Sequence, residues 1–161
     1  MTRTICLKVV VLTLAGLINP AHSGLAQTHP KSPGKQPRAS VAAIQAVLDA
    51  QRDAWNRGDV AGYMDGYARS KTTVFVSGDN VTRGWQTVLD RYRKIYNSRE
   101  KMGTLTFSDL EITPIGSDAA IVLGRWHLQR ANDEPHGRFT LILRRTKQGW
   151  KIVHDHTSSA S

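Results

Sequence analysis

His154 and His156 stand two positions apart in the terminal run Gly149-Trp150-Lys151-Ile152-Val153-His154-Asp155-His156-Thr157-Ser158. In an extended strand this spacing puts both rings on one face, with Lys151, Val153 and Asp155 on the other. Imidazole titrates near neutral pH, so the two rings could act as general base and general acid on a ligand held above the strand. The same spacing suits two polar side chains at a cavity mouth, hydrogen-bonded to Thr140, Ser158 or a backbone carbonyl. A shared metal is a third reading, but zinc wants a third protein ligand. His127 falls on the opposite face and His136 at a hairpin end. The expectation is a site without metal or cofactor, with His154 and His156 as its catalytic candidates.

Trp55, Tyr67, Trp126 and Thr140 are the expected ligand-binding residues. Small-molecule sites are mostly apolar clefts with a few convergent polar groups, and these aromatic side chains can supply the wall. Trp55, with Trp85, suits plain core packing equally well. A Gly-rich phosphate loop and a Gly-x-Ser-x-Gly nucleophile elbow are both absent from the sequence, which removes the nucleotide and hydrolase chemistries those motifs carry.

The elements that must position these residues follow from periodicity. Ser40 is a good N-cap, and Val41, Ile44, Val47, Leu48 and Trp55 recur at helical steps, predicting an amphipathic helix over 41–56 ended by Gly58. Asp59 caps a second, short helix that buries Tyr63, Met64 and Tyr67. Residues 72–77 read as a strand, Gly78-Asp79-Asn80 as a turn and 81–83 as the returning strand. A third helix runs from Gly84 to about Tyr96 on the stripe Trp85, Val88, Leu89, Tyr92 and Tyr96. Strands over 105–113, 119–130, 136–146 and 150–157 follow, joined by short turn-forming segments. Helices followed by long antiparallel strands make an α+β domain: a curved sheet closing into a cone against three N-terminal helices.

Pairing the last three strands through their turns puts Trp126 near Thr140, Thr140 near His156 and Ile142 beside His154. One face then carries Trp126, Leu128, Thr140, Ile142, Ile152, His154 and His156, and is assigned to the cavity. The other carries Arg125, His127, Phe139, Leu141, Val153 and Asp155, and is assigned to a dimer partner, because its apolar surface is too large to leave in water. A slip of one residue would exchange the two faces.

The N-terminus has the features of a secretory signal peptide over residues 1–23, with cleavage at 23 or at 26: Arg3 and Lys8, an apolar run over 9–18, then Ala21-His22-Ser23. The run is too short to span a membrane of about 30 Å. Cys6, the single cysteine, lies within the signal. Residues 27–40 carry prolines and no branched aliphatic or aromatic side chain, and are expected to be a disordered linker before a domain over 41–158. An exported domain without disulfides fits a bacterial periplasmic or secreted product. Without the five basic residues before position 41, 17 basic side chains face 13 acidic ones, so the formal net charge falls from +9 to +4. Arg91, Arg93, Lys94, Arg99 and Lys101 alternate with Asp90 and Glu100 as on a solvated helix face, so no nucleic-acid partner is expected and, once the signal is gone, no membrane.

Trp55-Asn56-Arg57-Gly58-Asp59, Tyr67, Val74-Phe75-Val76-Ser77, Gly84, Trp126, Gly137-Arg138-Phe139-Thr140 and the closing run 150–158 together resemble the nuclear transport factor 2-like superfamily, and within it the SnoaL-like and ketosteroid-isomerase-like proteins. The resemblance covers 41–158 and implies the cone-shaped, cystatin-like α+β fold, a homodimer through the sheet face and a small apolar ligand in the cone. It leaves open a non-catalytic accessory module, or a lyase, isomerase or hydrolase using His154 and His156. The resembling steroid isomerases place a tyrosine in the first helix and an acidic base on the first strand. Here those positions fall on Gln51 and on Phe75 or Val76, which argues against that isomerisation.

Overall fold

The computed structural model describes residues 36–160. The expected signal peptide and Cys6, and the linker up to residue 35, lie outside the described residues.

Helix α1 (Gln36–Asn56) starts upstream of Ser40, so the last residues assigned to the linker are helical. Pro37 permits this, since the first helical turn leaves its amide positions unbonded and a missing N–H there costs nothing. Ile44, Leu48, Gln51 and Trp55 repeat at helical steps and are all buried. Gly58, at φ 83°, turns the chain out of α1, and the Asp59 carboxylate accepts from the Gly62 N–H to cap α2 (Val60–Met64). The hairpin β1 (Val74–Ser77) and β2 (Asn80–Arg83) precedes α3 (Trp85–Ile95).

A fourth, one-turn helix, α4 (Arg99–Met102), adds to the three expected. Ser98 caps it, Gly103 ends it, and the Trp55 indole N–H donates to the Met102 carbonyl at 3.0 Å. Four residues are too few to show a hydrophobic period. The Asn56 amide then brackets Leu105, donating to its carbonyl and accepting from its N–H at 3.0 and 2.7 Å, which pins the end of α1 to the next strand.

Strands β3 (Thr104–Ile115), β4 (Ala119–Gln129), β5 (His136–Thr146) and β6 (Gly149–Thr157) complete one six-stranded sheet of order β2-β1-β6-β5-β4-β3. It is curved and open, with the helices packed on its concave face. The α+β expectation holds, with one correction: β1 runs parallel to β6, so the sheet is mixed rather than wholly antiparallel. The core joins α1, α2 and α3 to this face through Leu48, Met64, Val88, Val122, Leu143 and Ile152. Among the described residues no helix is long and apolar enough to cross a membrane.

The break in β6 matters most for function. Leu143 pairs with Ile152 but Ile142 pairs with His154, leaving Val153 as a bulge. The neighbour of β6 changes at the same point. Ile152 exchanges hydrogen bonds with Gly66 and Ala68 at 2.9 and 2.8 Å, whereas His154 to Thr157 pair with β1. The extra residue lets one strand serve both partners, and it inverts the alternation beyond it. Trp150, Ile152, Asp155 and Thr157 therefore face the helices, and His154 and His156 face away.

Candidate functional site

The bulge, together with a β4–β5 register three residues from the expected one, overturns the expected assignment of faces. Thr140, Ile142, His154 and His156 lie together on the convex side, and Phe139, Leu141 and Asp155, expected at a dimer partner, are buried inside. The pairing of Thr140 with His156 and of Ile142 with His154 is as expected. That of Trp126 is not: it faces Gly137, three residues from the expected Thr140. Gly137 is required there, because a Cβ would meet the Trp126 Nε1 at 2.9 Å as well as the Ser158 backbone. Trp126 instead donates through Nε1 to the Ser158 carbonyl at 2.9 Å, fastening the C-terminal segment to the sheet.

A cavity of about 130 Å³ opens between the concave face and the helices. Trp55, Tyr67 and Trp126 line it, and Thr140, His154 and His156 do not. Its wall is aromatic: Trp55, Tyr63, Tyr92 and Tyr96 pack edge-on and tilted with centroids 4.7 to 6.1 Å apart.

Asp155 supplies the polar depth, at 3 % exposure. The Tyr67 hydroxyl donates to its Oδ2 at 2.6 Å and the Thr157 hydroxyl to its Oδ1 at 2.7 Å. Burial pushes the Asp155 carboxyl above its ordinary value of 3.8; the two donated hydrogen bonds and the positive potential of His154 and His156 across the strand offset this only in part. The Tyr67 phenol is raised well above the ordinary tyrosine range by burial and by the Asp155 charge, so it stays a neutral donor. Tyr63 and Tyr92 are raised by the same burial, each the other's neighbour, with Asp155 adding to both. The phenols of Tyr67, Tyr63, Tyr92 and Tyr96 thus lead from Asp155 toward the rim.

Gln51 and Arg91 are two further polar groups in the wall, with Ser77, Thr157 and Ser159, that the sequence did not mark as site residues. Gln51 is buried and donates to the Tyr63 carbonyl at 2.9 Å. Arg91, half-buried at the rim, lies 5.2 Å over the Phe75 ring and donates to the Thr82 hydroxyl at 3.1 Å. Chemically, the depth of the cavity offers a carboxyl that holds its proton more tightly than usual and a phenol that does not ionise. Among the described residues no three His, Cys, Asp or Glu side chains converge as a metal would need.

The SnoaL-like domain family matches residues 44–161. The chain belongs to this family. As a SnoaL-like domain it is similar to a nuclear transport factor 2-like protein of unknown function from Shewanella oneidensis MR-1, at 38% identity and a TM-score of 0.71 over 73% of this chain and 98% of that one. A ketosteroid isomerase-like protein from Erwinia carotovora atroseptica is 19% identical with a TM-score of 0.61, covering 76% of this chain and 97% of its own. A nuclear transport factor 2-like superfamily protein from Salmonella enterica Typhimurium LT2 is 20% identical with a TM-score of 0.63, covering 78% and 94%. The latter two likenesses establish the fold of the SnoaL-like domain and nothing finer. No curated protein matches the chain.

Proposed function

We propose that this SnoaL-like domain binds a small, largely apolar molecule in the cavity, with a hydrogen-bonding atom of the ligand placed against Asp155. The observation that carries the reading is a carboxyl at 3 % exposure that lines the cavity and holds two short hydrogen bonds. Burying such a group costs stability, and a fold that keeps it at the depth of a pocket is retaining it for a ligand. The volume, about 130 Å³, limits the ligand to roughly one ring, since a cavity of about 150 Å³ is what benzene fills. Proton transfer to or from the ligand, where the domain acts as an enzyme, belongs to Asp155 with Tyr67, because Asp155 is the carboxyl among the lining residues and Tyr67 its hydrogen-bond donor; the His154 and His156 pair faces the other way.

Two parts of the reading concern the whole protein. The convex face supports a homodimer, since Ile121 and Ile142 pair with one another there at 37% and 38% exposure, beside Val74, Val76 and Leu123. The leader features of residues 1–23 support export to the periplasm or medium.

Thermal melts against single-ring phenols and amides test the cavity. Wild type should be stabilised by some of these compounds and Ser77→Trp, which plugs the cavity from the end of the edge hairpin, by none. Equal stabilisation of both proteins would place binding elsewhere and end the proposal.

A further inference from the structure

We infer that the ligand is a small carboxylate, its anionic end held by Arg91 at the rim and a hydroxyl or carbonyl group held by Asp155 and Tyr67 at the depth. The inference rests on the cavity reading above and names its ligand class.

Arg91 is the arginine that lines the cavity, and its one hydrogen-bond partner among the described residues is the neutral Thr82 hydroxyl. A guanidinium has five N–H donors, so most of its capacity is left over. Other half-buried or exposed arginines close to acids are paired: Arg52 with Asp49 and Asp53, Arg69 with Asp65, Arg144 with Asp118. No described carboxylate lies within salt-bridge distance of Arg91. Its place is nonetheless fixed, by the Phe75 ring beneath it and by the Thr82 hydroxyl on the adjoining strand. A fixed, partly desolvated guanidinium with an unmet charge is a carboxylate receptor, because its planar fork matches two carboxylate oxygens at once.

Register sets the relation to the other end. Phe75 pairs directly with Asp155 across the β1–β6 ladder. The residue under the guanidinium and the residue bearing the buried carboxyl are thus neighbours on adjacent strands, and both Arg91 and Asp155 line the cavity. A single ring with one polar group at each end is the simplest ligand that can engage both, and the cavity volume admits one ring. A free carboxylate would be repelled from the Asp155 end and drawn to the Arg91 end, so the two polar groups also fix the orientation.

The test compares 4-hydroxybenzoate with its uncharged isostere 4-hydroxybenzamide, with phenol as the probe of cavity binding alone, by titration calorimetry on the dimer or monomer as purified. Wild type should bind the benzoate at least tenfold more tightly than the amide, and Arg91→Gln should bind the two within twofold while keeping its affinity for phenol. Arg91→Lys should recover part of the preference. Phenol binding without a preference for the benzoate would overturn the carboxylate inference and leave the cavity reading standing. So would a preference that survives in Arg91→Gln. Binding of none of the three probes would overturn the cavity reading and this inference with it. The comparison of benzoate and amide on wild type needs no variant to fold.

Discussion

The Tyr67 hydroxyl donates to Asp155 Oδ2 at 2.6 Å, joining the segment after α2 to the last strand. The two segments are tied twice. Tyr67 also bridges to Ile152 just before the bulge, so the strand that carries the carboxyl and the segment that carries its donor share backbone pairing as well. The polar depth of the cavity is therefore built on the sheet itself and needs no loop closure to form.

Replacing Asp155 with Asn should stabilise the fold at neutral pH. The folded-state carboxyl binds its proton more tightly than the unfolded one. The native state therefore carries more protons than the unfolded state between the ordinary value of 3.8 and the raised value, and stability falls as pH rises through that window. Each unit of upward shift is worth about 1.4 kcal/mol. Asn keeps an acceptor for Tyr67 and carries no charge to desolvate. Melting curves of wild type and Asp155→Asn should converge below pH 3.8 and separate above it, with the variant on top. A variant that melts lower than wild type at neutral pH would show that the ionised carboxylate is what the fold is built around.

Tyr67→Phe should act in the opposite direction on the same group. The donated hydrogen bond favours the carboxylate, and without it Asp155 holds its proton more tightly still. A bond to a charged acceptor is worth about 1.5 to 3 kcal/mol, so the loss of stability should approach that at neutral pH and shrink in acid. Carbon-detected titration of the Asp155 carboxyl in both proteins would show the shift; an unchanged titration would mean that the Tyr67 contact does not set the carboxyl's state.

The histidines show where the sequence stopped being legible. Alternation and turn residues identify β3 to β6, and the partners of Thr140 and Ile142 across β5 and β6 follow from the hairpin turns alone. Which side of the sheet each residue takes depends on the β4–β5 register, three residues from the expected one, and on the bulge at Val153, which sits where β6 changes neighbours from 66–68 to β1. Such a handover is a long-range event with no local signature. One inserted residue sent Asp155 inward and both histidines outward. A second irregularity, between Ser108 and Glu111, turns Asp109 to φ 51° and does the same to β3. Between two histidines, Asp155 carries no local sign of burial in the sequence, yet it is 3 % exposed and takes Tyr67 and Thr157 as donors, as a buried carboxyl must.

His156→Ala should accordingly leave the cavity alone. The ring is exposed on the convex face, where a substitution changes stability by about 0.5 kcal/mol or less. Its effect on ligand-induced stabilisation should be nil, against a clear loss for Asp155→Asn. Parallel melts of the two variants with a bound single-ring compound check this, and a selective loss of binding in His156→Ala would return the histidines to the site.

Ile142→Glu examines the other face. Two rows cross the convex side in register: Ile121, Ile142, His154 and Val74 in one, Leu123, Thr140, His156 and Val76 in the next. These rows hold two isoleucines exposed beyond a third of their surface, with no helix of the described chain over them. Apolar surface of this kind on a sheet centre is what a second copy would cover, in a symmetric contact that brings Ile142 close to its own equivalent. A glutamate at that position would place two like charges near the twofold axis, a penalty of several kcal/mol in a desolvated contact. Light scattering should report a dimer for wild type and a monomer for Ile142→Glu at micromolar concentration, with melting temperature and phenol binding retained by the variant because residue 142 points away from the cavity. A wild type that is already monomeric at that concentration would remove the dimer and leave these rows as ordinary surface.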